Sequence, residues 1–207
     1  MSEQQGSTPR RGRRPGDEAM PEKIMDAAAA EFAERGYQAA TMRRIAAAAG
    51  VDPKLVHYYF GTKEQLFTAM IEAAFRSWGF PEMLADRPAD TPDSTGARYL
   101  TAVLTMLEHP GMGPAFIGLL RNLGTHEESR RIFVSFVSTQ LISRLAPMLP
   151  EPLSETRVAL AGSQMLGLVF ARYILRLPEL AELSIPDLAA AIGPTIDRYL
   201  IGDIGPA

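Results

Sequence analysis

The sequence contains no cysteine. That single absence excludes disulfide frameworks, thiolate zinc sites, iron–sulfur clusters and cysteine nucleophiles. Histidine is scarce too: His57, His109 and His126 are the only three, and none stands four residues from a carboxylate in the manner of a metal-binding helix. There is no His-Glu-x-x-His, no glycine-rich phosphate loop and no Gly-x-Ser-x-Gly, so the sequence implies no cofactor, no metal and no enzymatic machinery. A long hydrophobic run is missing as well. The most apolar stretch, 158–171, is interrupted by Ser163 and Gln164 and closed off by Arg157 and Arg172, too short for a bilayer. The first twenty residues hold Arg10, Arg11, Arg13 and Arg14 without an apolar segment, which is not the pattern of a secretory signal. A cytoplasmic protein with no membrane partner is expected.

What remains is a soluble globular composition, 46 % hydrophobic and 22 % charged over 207 residues, with 17 Gly and 16 Pro too few for a low-complexity chain. This length predicts one large domain, or a small one fused to a larger one, burying about 70 % of the unfolded surface. The net charge of −3 hides a contrast. Residues 1–66 hold ten Lys and Arg against nine Asp and Glu, whereas 67–207 hold eleven against fifteen. Only the front of the chain favours a polyanion. Its acids fall mostly at Asp17, Glu18, Glu22, Asp26, Glu31 and Glu34, while 41–63 sets Arg43, Arg44, Lys54 and Lys63 against Asp52 alone. Charge of this kind also suits a solvated surface and does not decide by itself.

Periodicity and caps supply the organisation. Residues 1–17 have nothing to pack and read as a disordered basic arm. Pro21 suits the first position of a helix, Ile24, Ala28 and Phe32 recur every four residues, and Gly36 stops the pattern. Thr41 caps a second helix over 42–49 that Gly50 ends, and Asp52 with Pro53 opens a third to about residue 60. Gly61 and Thr62 then break the chain before a fourth helix from Lys63. Short helices joined by a tight glycine turn have the form of a helix-turn-helix. On the third, Val56, Tyr59 and Phe60 make the inward stripe, so Lys54 and Tyr58 point outward with Leu55 and His57 on the flanks. An ammonium, an imidazole, a phenol and an apolar tip are the groups that reach phosphates, base edges and thymine methyls in a major groove. Further helices are predicted over 63–78, 94–108, 113–122, 127–146, 154–177 and 185–200, with breakers such as 81–95 between them.

The run 24–67 closely resembles the DNA-binding domain of the TetR family of bacterial regulators. The resemblance rests on Ala27 and Ala28, Phe32, Gly36-Tyr37, Thr41-Met42-Arg43, Ile45-Ala46, Ala49-Gly50-Val51, His57-Tyr58-Tyr59-Phe60 and Lys63-Glu64-Gln65-Leu66-Phe67. It implies an all-α homodimer, with a helix-turn-helix domain (18–66) followed by a helical domain (67–207) that binds a small molecule, dimerises, and weakens DNA binding when occupied. Thr41 resembles a phosphate-contacting position and Arg43 one that reaches a base in some members. Lys54, Leu55, His57 and Tyr58 match the exposed recognition-helix positions, and Lys63 matches a phosphate-binding lysine. Arg44 joins this basic set. Where the family often has Ser, a variable residue, Gly, then Thr-Leu-Tyr, this chain has Asp52-Pro53-Lys54-Leu55-Val56-His57, so base specificity is not inherited. The arginine arm matches no fixed motif, and phosphate contact is the role it suits best.

The C-terminal two thirds speak to architecture more than to chemistry. The helix over 154–177 is apolar almost all round and must be covered on two sides. Its own subunit supplies one side; a second copy supplies the other, unless this is the central helix of a large monomer. The dimer reading uses Ala161, Gly162, Met165, Leu168 and Val169, with Ser163 and Gly167 also small enough for close approach, and Ile185, Leu188, Ile192 and Ile196 of the last helix. Trp78, Met106, Met112, Phe116, Leu120, Met165 and Phe170 are candidate lining for a lipophilic effector, with His109, Arg121, His126, Gln164 and Tyr173 as polar anchors. The expected function is a ligand-responsive repressor that binds an inverted repeat of double-stranded DNA as a homodimer. The alternative is a helical carrier or enzyme with an unused DNA-binding head.

Overall fold

The structure, a computed structural model, describes residues 19–79 and 94–205. The expected arginine arm, Arg10, Arg11, Arg13 and Arg14, therefore lies outside the described residues, as does most of the breaker segment 81–95. Among the described residues every regular element is helical.

The first four helices are α1 (Met20–Ala39), α2 (Met42–Ala49), α3 (Pro53–Phe60) and α4 (Lys63–Ser77). Gly36 breaks α1 from within at φ 73°, a left-handed conformation that only glycine adopts cheaply, and the last residues turn away from the helix axis there. Between α2 and α3 the chain turns in a Schellman motif. The Gly50 N–H donates to the Ala47 carbonyl at 3.1 Å and the Val51 N–H to that of Ala46 at 2.9 Å, with Gly50 at φ 64°. Asp52 then accepts from the Lys54 N–H at 2.7 Å, and Pro53 occupies the first position of α3. A reciprocal capping box starts α4: the Gln65 N–H donates to Thr62 Oγ1, and the Thr62 N–H donates to Gln65 Oε1. These caps set where each of the consecutive helices ends and the next begins.

Packing completes the head. Ile24, Ala28, Phe32, Ile45, Ala46, Val56, Leu66 and Phe67 are fully buried. Phe67 meets Phe32 edge-on at 4.8 Å and Tyr37 at 5.0 Å. Each such ring contributes about 1.5–3 kcal/mol by leaving water. Tyr59 and Phe60, expected in the core, are half-buried and pack against its rim.

The remainder consists of α5 (Thr95–Glu108), α6 (Gly113–Arg121), α7 (Glu127–Phe136), α8 (Ser154–Val169), α9 (Pro178–Ala181) and α10 (Ile185–Ile201). Helix α7 continues through a π-helical turn, Val137–Ile142, into Ser143–Leu145, and α8 continues through a second π turn, Phe170–Ile174. The helices predicted over 127–146 and 154–177 are thus present but change pitch near their ends; α9 gave no periodic signal because it is a single turn. Helix α6 packs along α1, joining head and body, while α5 and α10 lie together at close range. Gly96 and Gly193 permit that approach: a Cβ on Gly193 would sit 2.8 Å from Ala97 Cβ and its backbone nitrogen, and one on Gly96 would sit 2.3 Å from the Gly193 carbonyl.

The expected dimer residues need correction at this point. Ala161, Met165, Leu168, Val169, Leu188 and Ile196 are buried inside their own subunit, and Ile185 and Ile192 pack against the same clusters. A helix that looks apolar all round carries two stripes, and these residues form the inner one. The outer face of α8 carries Ser163, Gln164 and Gly167, exposed, and a Cβ at Gly162 or Gly167 would meet nothing within 4 Å.

Candidate nucleic-acid interface and apolar cavity

Helix α3 offers an unpartnered outer face. Tyr58 is 80 % exposed, its ring near-perpendicular to that of Tyr59 at 5.2 Å. Lys54 is exposed and no described group pairs with its side chain; Leu55 is half-buried beside it. His57 Nδ1 lies 2.7 Å from the Gly61 carbonyl. A carbonyl only accepts, so Nδ1 carries the proton of this bond. Val56 anchors the opposite side of the helix at 0 % exposure. The recognition face read from the sequence and the face the structure exposes therefore coincide in phase.

The basic residues around α3 fall into two groups. Arg43 is exposed near the start of α2, without a described partner. Thr41 is exposed, and its Oγ1 accepts from the Arg44 N–H at 3.3 Å, capping the helix. Arg44 and Lys63, by contrast, already have partners. Arg44 Nε sits 3.1 Å from Glu31 Oε1, a charge contact with poor hydrogen-bond alignment to a carboxylate that is largely buried in α1. The Lys63 ammonium donates to the Tyr37 carbonyl at 2.9 Å and to that of Ala40 at 3.4 Å, and lies 4.3 Å above the Tyr37 ring. Both residues tie α1 to the next helices, a constraint that no local pattern displays.

A second group of contacts joins head and body. The Tyr37 hydroxyl donates to Glu128 at 2.7 Å; burial, reinforced by that carboxylate, pushes its pKa above the ordinary tyrosine value. Arg131 grips Glu64 with two bonds, at 3.1 and 2.7 Å. The Arg131 hydrogen bonds hold the Glu64 carboxyl below the usual carboxylate range. Gln140 donates to Glu72 at 2.7 Å. All three pairs bridge residues more than sixty apart in sequence, so sequence reading found none of them.

Inside the body is a cavity of about 100 Å³ whose lining side chains are apolar apart from Tyr99. Met106, Phe116, Leu120 and Met165, candidates for effector lining by sequence, border it, together with Ala161, Gly162, Val169 and Ile196, which the sequence had suggested for dimerisation. Phe75, Phe133, Phe136, Leu141 and Val158 line it too, and the sequence had not singled them out. The remaining candidates need correction. Trp78, Met112 and Phe170 pack beside the core without lining the cavity. His109, His126, Arg121 and Gln164 are exposed, and Tyr173 lies with Arg121 along a separate cleft. The cause is helical phase: Gln164 is next to Met165, and Arg121 next to Leu120, but one residue is about 100° around the helix.

Comparison with known proteins decides the family. Residues 24–70 match the family model described as "Bacterial regulatory proteins, tetR family", and residues 93–200 match the one described as "Tetracyclin repressor-like, C-terminal domain". The chain belongs to the TetR family of bacterial transcriptional regulators. Among its relatives, the HTH-type transcriptional regulator BetI of Rhizobium meliloti (strain 1021) is 29 % identical over 157 residues, 74 % of this chain and 77 % of that protein. The crystal structure of a TetR-family regulator (SCO0857) from Streptomyces coelicolor superposes with a TM-score of 0.64 at 29 % identity, covering 91 % of this chain and 98 % of that one. A complex of SmeT with triclosan shares the fold, with a TM-score of 0.59 at 18 % identity over 91 % of this chain and 98 % of that one. This TetR-family chain is all-α, with an N-terminal helix-turn-helix followed by a helical C-terminal part. Among its described residues no helix is long and apolar enough to cross a membrane.

Proposed function

We propose that this TetR-family regulator is a homodimeric repressor that grips an inverted-repeat operator with two copies of α3 and is released by a small lipophilic molecule held in the body. The observation that carries the reading is the outer face of α3. Lys54, His57 and Tyr58 stand exposed on a helix held by caps at both ends, and an 80 % exposed tyrosine contributes almost nothing to folding. Two such faces related by a twofold axis would read half-sites about 34 Å apart, or a multiple of it. The outer stripe of α8, with Ser163, Gln164 and Gly167, and the exposed side of α10 supply the self-complementary surface. Thr41 and Arg43 contact phosphate or base beside α3, with the Arg44 and Lys63 charges adding to the field.

The cavity supports the effector half of the reading. It is apolar, so it suits a lipophilic ligand, and at about 100 Å³ it lies below the ~300–1,000 Å³ of typical ligand sites. An effector therefore has to enlarge it. Phe75, on the helix that continues into the head, lines it and packs edge-on against Phe136 at 5.5 Å, so enlargement displaces α4. A ligand preferring that displaced state by about 1–3 kcal/mol releases DNA by roughly 5- to 150-fold.

The test is selection of bound duplexes from genomic DNA, followed by titration of the selected site across a salt gradient. A regulator's log affinity falls with log salt by about 0.9 per phosphate neutralised. Tyr58→Ala and His57→Ala are expected to change the selected sequence, each by about 1–3 kcal/mol of discrimination. A flat salt dependence, a monomer at DNA-binding concentrations, or identical selected sequences for wild type and both variants overturns the reading in favour of a carrier with an idle head.

A further inference from the structure

We propose a second ligand site, for a small organic carboxylate, in the polar cleft where α1 meets the C-terminal helices. The cleft has a volume of about 530 Å³, which falls in the range of small-molecule sites, and it is separate from the apolar cavity. Its walls come from both parts of the molecule: Ala33 of α1, the C-terminal end of α5, α6, and the chain from the π turn after α8 to α9.

Three guanidinium groups line it, Arg121, Arg172 and Arg176, against one carboxylate, Glu108. Arg172 is built into the wall. It is nearly buried, donates to the carbonyls of Leu180 and Leu183, and pairs with Glu108 at 3.2 Å. The Tyr173 hydroxyl donates to the same Glu108 oxygen at 2.9 Å. Burial, and then the bond to Glu108, raise the Tyr173 pKa to about 12, so it remains a neutral donor. Glu108 is thereby compensated, and its neighbours are locked in place. Arg121 and Arg176 are different: both are exposed, and among the described residues neither has an ion-pair or hydrogen-bond partner. The cleft thus presents an uncompensated double positive charge.

Arg176 reaches this position at φ 55°, alone among the described non-glycine residues in the left-handed region. Such a conformation costs of order 1 kcal/mol in a residue with a Cβ and is often found where a side chain has a task. The lining also includes hydrocarbon, from Ala33, Pro114 and Ile117, the last two on the same helix as Arg121. A guanidinium fits a planar carboxylate with two parallel N–H···O bonds, and apolar lining favours a ligand with a carbon body over a bare inorganic anion. A carboxylate on an aromatic or short aliphatic body satisfies both halves of the lining. A charged head of this kind would be excluded from the apolar cavity, so the two sites take different chemistry.

Titration calorimetry of the full chain tests this with three probes: sodium benzoate, benzyl alcohol as its neutral counterpart, and inorganic phosphate. Benzoate is expected to bind once per subunit, at least tenfold more tightly than either of the others. Arg121→Gln and Arg176→Gly are each expected to weaken benzoate at least tenfold. Arg176→Gly suits the left-handed backbone, so its melting temperature is expected to hold or rise, which separates loss of the site from loss of the fold. Absence of benzoate binding, equal binding of benzyl alcohol or phosphate, or unchanged benzoate affinity in both variants overturns the proposal. None of these results bears on duplex binding, so this site and the operator reading stand or fall separately.

Discussion

Two lysines, Lys54 on α3 and Lys63 at the start of α4, allow the proposed contact with DNA to be separated from support of the head. Both resemble DNA-binding positions, yet the structure gives them different surroundings. Lys54 is exposed and has no partner among the described residues, so Lys54→Ala should change folding stability by no more than about 0.5 kcal/mol. If its ammonium neutralises one phosphate, the salt slope of duplex binding drops by about 0.9. Lys63 bonds to the carbonyls of Tyr37 and Ala40 and lies over the Tyr37 ring. A hydrogen bond from a charged donor is worth about 1.5–3 kcal/mol and a cation–π contact about 0.5–1 kcal/mol. Because Lys63 is half-buried and the Ala40 bond is long, the low end applies, and Lys63→Ala should cost about 1–2 kcal/mol. For a chain of this size that lowers the melting temperature by roughly 2–8 °C. Its removal also frees the turn that leads into Thr41, so duplex affinity falls for every sequence while the salt slope changes by much less than a full unit. Urea unfolding and anisotropy titrations between 50 and 300 mM salt measure both quantities. If Lys63→Ala unfolds at the wild-type urea midpoint and loses a full unit of slope, its ammonium serves phosphate and the reasoning from its carbonyl partners is wrong.

Two further outcomes follow from packing and charge. Gly193→Ala and Gly118→Ala make the same chemical change in a helix, worth about 1 kcal/mol in favour of alanine. At Gly193 the added Cβ lies 2.8 Å from Ala97, whereas at Gly118 nothing lies within 4 Å. Overpacking costs about 1–3 kcal/mol, so the Gly193 variant should be less stable than the Gly118 variant by that amount in urea unfolding at fixed protein concentration; equal midpoints would show that α5 and α10 do not meet closely. The Glu64 carboxyl is depressed by hydrogen bonds from Arg131, so its contribution is present above the unfolded-state pKa and lost as pH falls through the lower folded value. The stability difference between wild type and Glu64→Gln should therefore be constant near neutrality and vanish in acid; a difference that grows on acidification contradicts the pairing.

Much of the head was legible in the sequence because its determinants are local. Thr41, Gly50, Asp52 and Thr62 act through bonds to residues two to four positions away, and Pro53 through its fixed φ at the first position of α3; these set helix ends and turns without help from the rest of the chain. The outward phase of Lys54, His57 and Tyr58 follows from Val56 in the same eight-residue helix. Tertiary structure decided whatever depends on neighbours remote in sequence. It turned the apolar stripe of α8 and α10 inward, so Leu168, Leu188 and Ile196 serve the subunit's own core. It placed Phe75, Phe133 and Phe136 around one cavity and brought Tyr37 to Glu128 and Glu64 to Arg131. It also gathered Arg121, Arg172 and Arg176 on one cleft. A helix's periodicity reports which residues share a face; only packing against the other helices determines what that face meets.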